Sequence, residues 1–178
     1  MAKEEVSPLA LMEMRIEDDG VFRLPKVDGL PEDEDDALEY ARIAWSQLDL
    51  AFYAACRGFA HYATAIRVRM GYLLATVQER FGPATYTTFR EQIGIEKRTA
   101  NNYKKLYEKR NHEFIMKLPP TKALRLIGAL DKEGVELGDD KVKINIAGEW
   151  KEVGLEQATE CTVSDFVALL DAHREGQK

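Results

Sequence analysis

The sequence predicts a mainly α fold with a small β element: a long helix or helical hairpin, then two short helices meeting at a tight turn, plus a short β-sheet. Three patterns carry that prediction. Apolar residues recur at Leu38, Ala41, Trp45, Leu48, Phe52, Ala55, Phe59, Tyr62 and Ile66 in a 3-4-3-4 spacing, the stripe of an amphipathic helix. A glycine between two isoleucines, Ile93-Gly94-Ile95, interrupts a second helical region. Val142, Ile144 and Ile146 alternate with Lys141, Lys143 and Asn145, the period of a half-buried strand.

Residues 1–36 read as an acidic N-terminal hairpin and linker. "LMEMRIEDDGVFRLPK" suits a β-hairpin around a three-residue loop, Asp18-Asp19-Gly20, with glycine at the left-handed position. That register sets Ile16 opposite Phe22 and Met14 opposite Leu24. An isolated hairpin is marginal in water, so the strand "KVKINIAG" is expected to join it in one sheet. "VDGLPEDEDDA" is a solvated linker whose acids, Glu32 to Asp36, run into a helix start and complement its dipole.

Residues 37–81 carry the long helical stripe. One unbroken helix from Leu38 to Phe81 would be about 66 Å long at about 1.5 Å per residue, whereas a compact chain of this length has a radius of gyration of about 16 Å. Either the helix breaks near Arg57-Gly58 and forms a hairpin inside one core, or it projects and packs on a partner as a dimerisation helix. Trp45, Phe52 and Phe59 set against Ala41 and Ala55 resemble globular packing more than a zipper. Phe81-Gly82-Pro83 then ends the stripe, with glycine at the stop and proline just beyond.

Residues 82–117 fit the geometry of a helix-turn-helix, in which two short helices cross steeply and small or apolar residues are needed where they touch. Gly94 takes the turn, Ile93 and Ile95 flank it, Phe89 lies four residues before Ile93, and Ala100 and Tyr103 fill the later packing positions. Ala100 matters most, because a large side chain there would push the second helix off the first. Two residues depart from the frame. Arg90 stands where a small residue is typical, which puts the inter-helix angle in question. Glu96 stands where Ser or Asp would cap the second helix better.

Lys97, Arg98, Asn101, Asn102, Lys104, Lys105 and Lys109 are left on the outer face of that second helix. In the major groove Arg pairs with guanine and Asn with adenine, while contacts to phosphates position a protein without reading sequence. Early residues of a recognition helix reach the bases. This assigns Lys97, Arg98 and Asn101 to base readout, with Asn102 or Lys105 next. Thr87, Thr88 and Tyr86, at the start of the first helix, are phosphate-contact candidates. A basic face on an exposed helix is also a common solvated surface, so a purely structural bend stays open beside DNA contact.

Residues 118–178 read as a helix-strand-helix region. "KLPPTKALRLIGAL" starts a helix after a double proline, with Ala123, Leu124, Ile127 and Leu130 on one face. "ECTVSDFVALLDAHRE" holds Thr162 and Asp165 in capping-box spacing, aspartate replacing the usual Glu or Gln. Phe166, Leu169 and Leu170 form its expected buried face.

The net charge of −6 hides an uneven distribution. Residues 1–40 hold 4 basic and 13 acidic side chains, residues 41–117 hold 13 and 6, and residues 118–178 hold 8 and 12. A basic centre therefore lies between acidic ends. No apolar run is long enough for a transmembrane helix, and the N-terminus is not a secretory signal. Cys56 and Cys161 lack metal-like spacing and suit reduced thiols in a cytoplasm. His61, His112 and His173 are isolated from one another and from cysteine, which argues against zinc. "GIEKRT" lacks the spacing of a phosphate-binding loop, and Glu32 to Asp36 lack the glycine and spaced ligands of a calcium loop. The expectation is a protein without enzymatic activity, metal or cofactor.

"MGYLLATVQERFG" followed by "YTTFREQIGIEKRTANNYKKL" resembles small helix-turn-helix DNA-binding proteins of phages and bacterial mobile elements. Those chains carry a long helix, a short aromatic-containing helix and a segment reading roughly "lgis-rTA-nY". The matching residues are Phe89, Ile93, Gly94, Ile95, Arg98, Thr99, Ala100 and Tyr103. "KLPPTKALRLI" is similar to the segment after that motif, and the resemblance covers residues 60–130. It implies DNA binding in the cytoplasm or nucleoid of a bacterial host. Two functions remain open. One is sequence-specific recognition of double-stranded DNA by a homodimer, as a transcriptional regulator or accessory factor of a phage or mobile element. The other is a non-enzymatic inhibitor or interaction module that binds a protein partner through an acidic, DNA-mimicking N-terminal region.

Overall fold

The computed structural model of the chain describes residues 27, 29–58, 60–130 and 134–175. The expected hairpin around Asp18-Asp19-Gly20 lies outside the described residues. Helix α1 spans Glu34–Gly58. Its cap is Asp33, whose Oδ1 accepts hydrogen bonds from the backbone N–H of Asp35 at 3.0 Å and Asp36 at 3.1 Å. Glu34, Asp35 and Asp36 fill the first turn, where the helix dipole favours negative charge.

The long stripe breaks at Gly58, and α2, Ala60–Gln92, runs back along α1. Thr85 near the end of α2 bonds Glu34 at the start of α1, while Arg67 lies over the ring of Phe52. The two helices therefore form an antiparallel hairpin rather than one projecting rod. Ala41, Ala44, Leu48 and Ala51 of α1 are buried against Ile66, Met70, Leu73, Leu74 and Val77 of α2. Arg80 ties the incoming chain to this hairpin, its guanidinium donating to the carbonyls of Leu30 at 2.8 Å and Pro31 at 2.6 Å.

Helix α2 is kinked at Gly82, whose φ of 82° and ψ of 178° leave the helical region. Glycine adopts that positive φ without a Cβ penalty. Pro83 then opens a terminal segment, residues 83–92, at the position where its missing N–H costs no hydrogen bond. After a turn come α3, Lys97–Glu108, the short α4, Glu113–Lys117, and α5, Pro120–Leu130. The buried face of α5 centres on Leu126, with Ala123, Ile127 and Ala129, and Leu124 and Leu130 are only half-buried.

A three-stranded antiparallel sheet follows, built from β1, Val135–Leu137, β2, Lys141–Ile146, and β3, Glu149–Gly154, in that spatial order. The alternation around Val142 and Ile144 is realised as β2. Its described partners are β1 and β3, one on each side, while the N-terminal hairpin expected to join it lies outside the described residues. Local pairing is favoured because the connections are short. Ala147 and Gly148 join β2 to β3 with φ of 53° and 90°, the pair of positive angles that a two-residue hairpin turn needs. The Gly148 N–H donates to Asn145 Oδ1 at 2.9 Å across that turn.

Helices α6, Leu155–Glu160, and α7, Val163–Glu175, complete the described chain. The Thr162–Asp165 cap forms, with the Thr162 hydroxyl donating to Asp165 Oδ2 at 2.7 Å and accepting from the Asp165 N–H at 3.1 Å. Phe166 and Leu170 are buried and Leu169 is half-buried. Two apolar clusters result. One joins α1, α2 and the first half of α3. The other joins the end of α3 to α4, α5, the sheet, α6 and α7. Ala100 and Tyr103 belong to the first cluster and Leu106 to the second, so α3 is held between them.

Candidate nucleic-acid interface

The turn before α3 is built from a few local bonds. The Ile93 N–H donates to Phe89 C=O, Gly94 N–H to Glu91 C=O and Ile95 N–H to Arg90 C=O, each at 3.1 Å. Gly94 has φ of 69°, which glycine tolerates best. Arg90, the residue that did not suit the frame, closes the turn from the side. Its Nη1 donates to Ile95 C=O at 2.7 Å, so the long side chain spans the bend instead of wedging the helices apart. Glu96 takes the N-cap position of α3 with no side-chain capping bond, as its residue type suggests.

The packed side of α3 is tightly fixed. Phe89, Ala100 and Leu106 are fully buried, and Tyr103 is nearly so. The Tyr103 ring stacks on Trp45 of α1 at 6.1 Å between centroids, and Arg67 of α2 lies 4.8 Å from the same ring. At Gly71 the backbones of α2 and α3 approach closely. A Cβ there would sit 2.0 Å from the Tyr103 carbonyl oxygen. Neither Gly71 nor Arg67 stands out in the sequence, since the role of each depends on which helix crosses α2.

With about 3.6 residues per turn, Asn101 and Lys105 stand opposite the buried Ala100-Tyr103-Leu106 stripe. Lys97, Arg98, Asn101 and Lys105 are exposed, and Asn102 is half-exposed. The two flanks of this face differ. On one, Lys104 is turned toward α2, where its Nζ donates to Gln78 Oε1 at 2.6 Å and lies 4.8 Å from the Tyr86 ring. Burial lowers the pKa of Lys104 from its ordinary value; Glu108 opposes that shift and Lys97 adds to it. On the other flank, Arg98 and Asn102 line an open cleft of about 270 Å³ with Thr121, Leu124 and Arg125 of α5.

Thr87 and Thr88 are exposed on residues 83–92. Their hydroxyls donate to Pro83 C=O at 2.8 Å and Ala84 C=O at 3.4 Å, so contact with a phosphate requires each to leave its own helix. Tyr86 does not accompany them outside; it is 8% exposed, within the first apolar cluster. Burial raises its pKa, partly offset by Arg90.

Of the acids from Glu32 to Asp36, all exposed, Asp33 caps α1 and Glu34 accepts from the Thr85 hydroxyl at 2.9 Å. Among the described residues no cluster of His, Cys, Asp and Glu is arranged to hold a metal ion, and no helix is long and apolar enough to cross a membrane. No protein-family model, curated protein sequence or solved structure matches this chain.

Proposed function

We propose that this chain is a sequence-specific double-stranded DNA-binding protein that uses residues 83–108 as a helix-turn-helix, with α3 as the helix entering the major groove. The observation that carries the proposal is the contrast across α3: Lys97, Arg98, Asn101 and Lys105 are exposed on one side of a helix whose other side is locked into the core. Lys97, Arg98 and Asn101 lie in its first turns, from which a recognition helix reaches base edges. Lys105 and the exposed Thr87 and Thr88 serve the backbone.

The role as a regulator or accessory factor of a phage or mobile element rests on the sequence resemblance. A homodimer on a palindromic site suits that role, and α1 offers the surface for it, with Leu50 65% and Tyr53 62% exposed. Selection of bound sequences from a random duplex pool, followed by gel shifts at rising salt, tests the proposal. A consensus with two symmetric half-sites about one helical turn apart is the expected result. Absence of duplex binding even at low ionic strength refutes the function, because the phosphate contribution is strongest there.

A further inference from the structure

We propose that the cleft between α3 and α5 is a seat for one backbone phosphate, clasped by Arg98 and Arg125, so that α5 is part of the interface and Arg98 holds the backbone instead of reading a base. The inference rests on the DNA-binding reading and refines it. The five lining residues supply two guanidinium groups, the Asn102 amide, the Thr121 hydroxyl and the Leu124 side chain, and none is acidic. Arg98, Thr121 and Arg125 are exposed. Neither guanidinium forms an ion pair or hydrogen bond among the described residues.

The contrast with the opposite flank of α3 strengthens the assignment. There Lys104 already donates to Gln78, so that cation is engaged within the fold. On the α5 flank two cations of like sign share a cleft with no acidic lining residue; a carboxylate, Asp171, borders an adjoining cleft with Arg125, and an oxyanion seated between the guanidiniums relieves their repulsion. Guanidinium is the group suited to it, because its planar fork makes two parallel bonds to phosphate oxygens. Arg98 and Thr121 are each the second residue of their helix. The positive ends of both helix dipoles therefore add to the attraction for an anion. With Arg98 committed to the backbone, base contact from the first turns of α3 falls to Lys97 and Asn101.

The test uses the full chain and a labelled mixed-sequence duplex of about three helical turns, titrated at several salt concentrations, with Asn101→Ala as a comparator. Arg125→Ala is expected to weaken binding about tenfold at about 0.1 M salt and to reduce the salt slope by about 1, the contribution of one phosphate. It should do so equally on the mixed duplex and on a selected site, with melting temperature unchanged. Arg125→Glu should weaken binding further. Because the two arginines share one phosphate, Arg98→Ala combined with Arg125→Ala should lower the slope by about 1, not 2. Duplex binding that Asn101→Ala weakens, but that neither Arg125→Ala nor Arg125→Glu changes, overturns the clasp and leaves the DNA reading intact. A slope loss of about 2 in the double variant also overturns it, since the arginines then meet separate phosphates. If the wild-type protein ignores duplex at low salt, the DNA reading itself fails. If inorganic phosphate at matched ionic strength then raises the melting temperature only when Arg125 is present, the cleft is a free-anion site and the backbone assignment is wrong.

Discussion

On the packed face of α3, Ala100 and Leu106 are fully buried, and Tyr103 stacks on Trp45 of α1 while its carbonyl lies against Gly71 of α2. On the opposite face, Lys97, Arg98 and Asn101 are exposed and form no hydrogen bond or ion pair among the described residues. The same helix thus answers to two constraints. Its packed residues are dictated by steric fit and set stability. Lys97, Arg98 and Asn101 make no hydrogen bond or ion pair within the described fold, so their composition is free to be set by a ligand. Substitutions that separate these two roles are the direct way to break or sharpen the contrast.

The largest effect on stability is expected at Gly71→Ala. Helix propensity favours alanine by about 1 kcal/mol. The new Cβ would lie 2.0 Å from the Tyr103 carbonyl oxygen and 2.6 Å from its carbon, and backbone cannot yield as a flexible side chain does. Overpacking of this kind costs about 1–3 kcal/mol or more, so the steric term wins. A chain of this size should lose several degrees of melting temperature, at about 2–4 °C per kcal/mol. An unchanged or higher melting temperature would show that the two helices do not meet as tightly as described.

Arg90→Ala should follow, at about 1 kcal/mol. The substitution removes the 2.7 Å bond to Ile95 C=O, and a charged donor gives that bond more than neutral strength. Arg90 is partly exposed, with 18% of its side chain accessible, so water replaces some of what is lost. If Arg90 instead strained the turn, as a large residue at a small-residue position suggests, alanine would stabilise the protein. The sign of the change in chemical denaturation therefore decides between a brace and a wedge.

How much of this was legible in the sequence varies with the range of the cause. Gly58, Gly82-Pro83, Gly94 and Thr162-Asp165 act within a few residues, and each punctuates the chain where its chemistry says it should. Strand β2 was visible because Val142 and Ile144 alternate with polar residues. Its partners were not, because β1 has only three residues and β3 buries Val153 alone. Lys122 carries no signal of burial in its neighbouring residues, yet it is buried. Its long stem carries the ammonium to the carbonyls of Ala158 and Thr159 at 2.8 Å, at the end of α6. Lys104 turns inward and Arg125 joins the α3 cleft for the same reason. Each is decided by a neighbouring element that periodicity along one helix does not reveal.

The smallest effect on stability, and the sharpest test of the outer face, is Asn101→Ala. Asn101 stands almost opposite the buried stripe, is exposed and bonds to no described residue. Exposed substitutions of this kind stay within about 0.5 kcal/mol, and alanine is the better helix former. The melting temperature should therefore stay level or rise slightly. On a selected duplex site, losing a bidentate amide-to-adenine contact costs about 1–3 kcal/mol of discrimination. Affinity for that site should fall toward affinity for the mixed duplex, while the salt slope is retained because no phosphate contact is lost. A fold left intact with sequence preference erased would place function and folding on opposite sides of α3. Equal loss on both duplexes would instead assign Asn101 to the backbone, and a lower melting temperature would mean that the outer face also supports the fold.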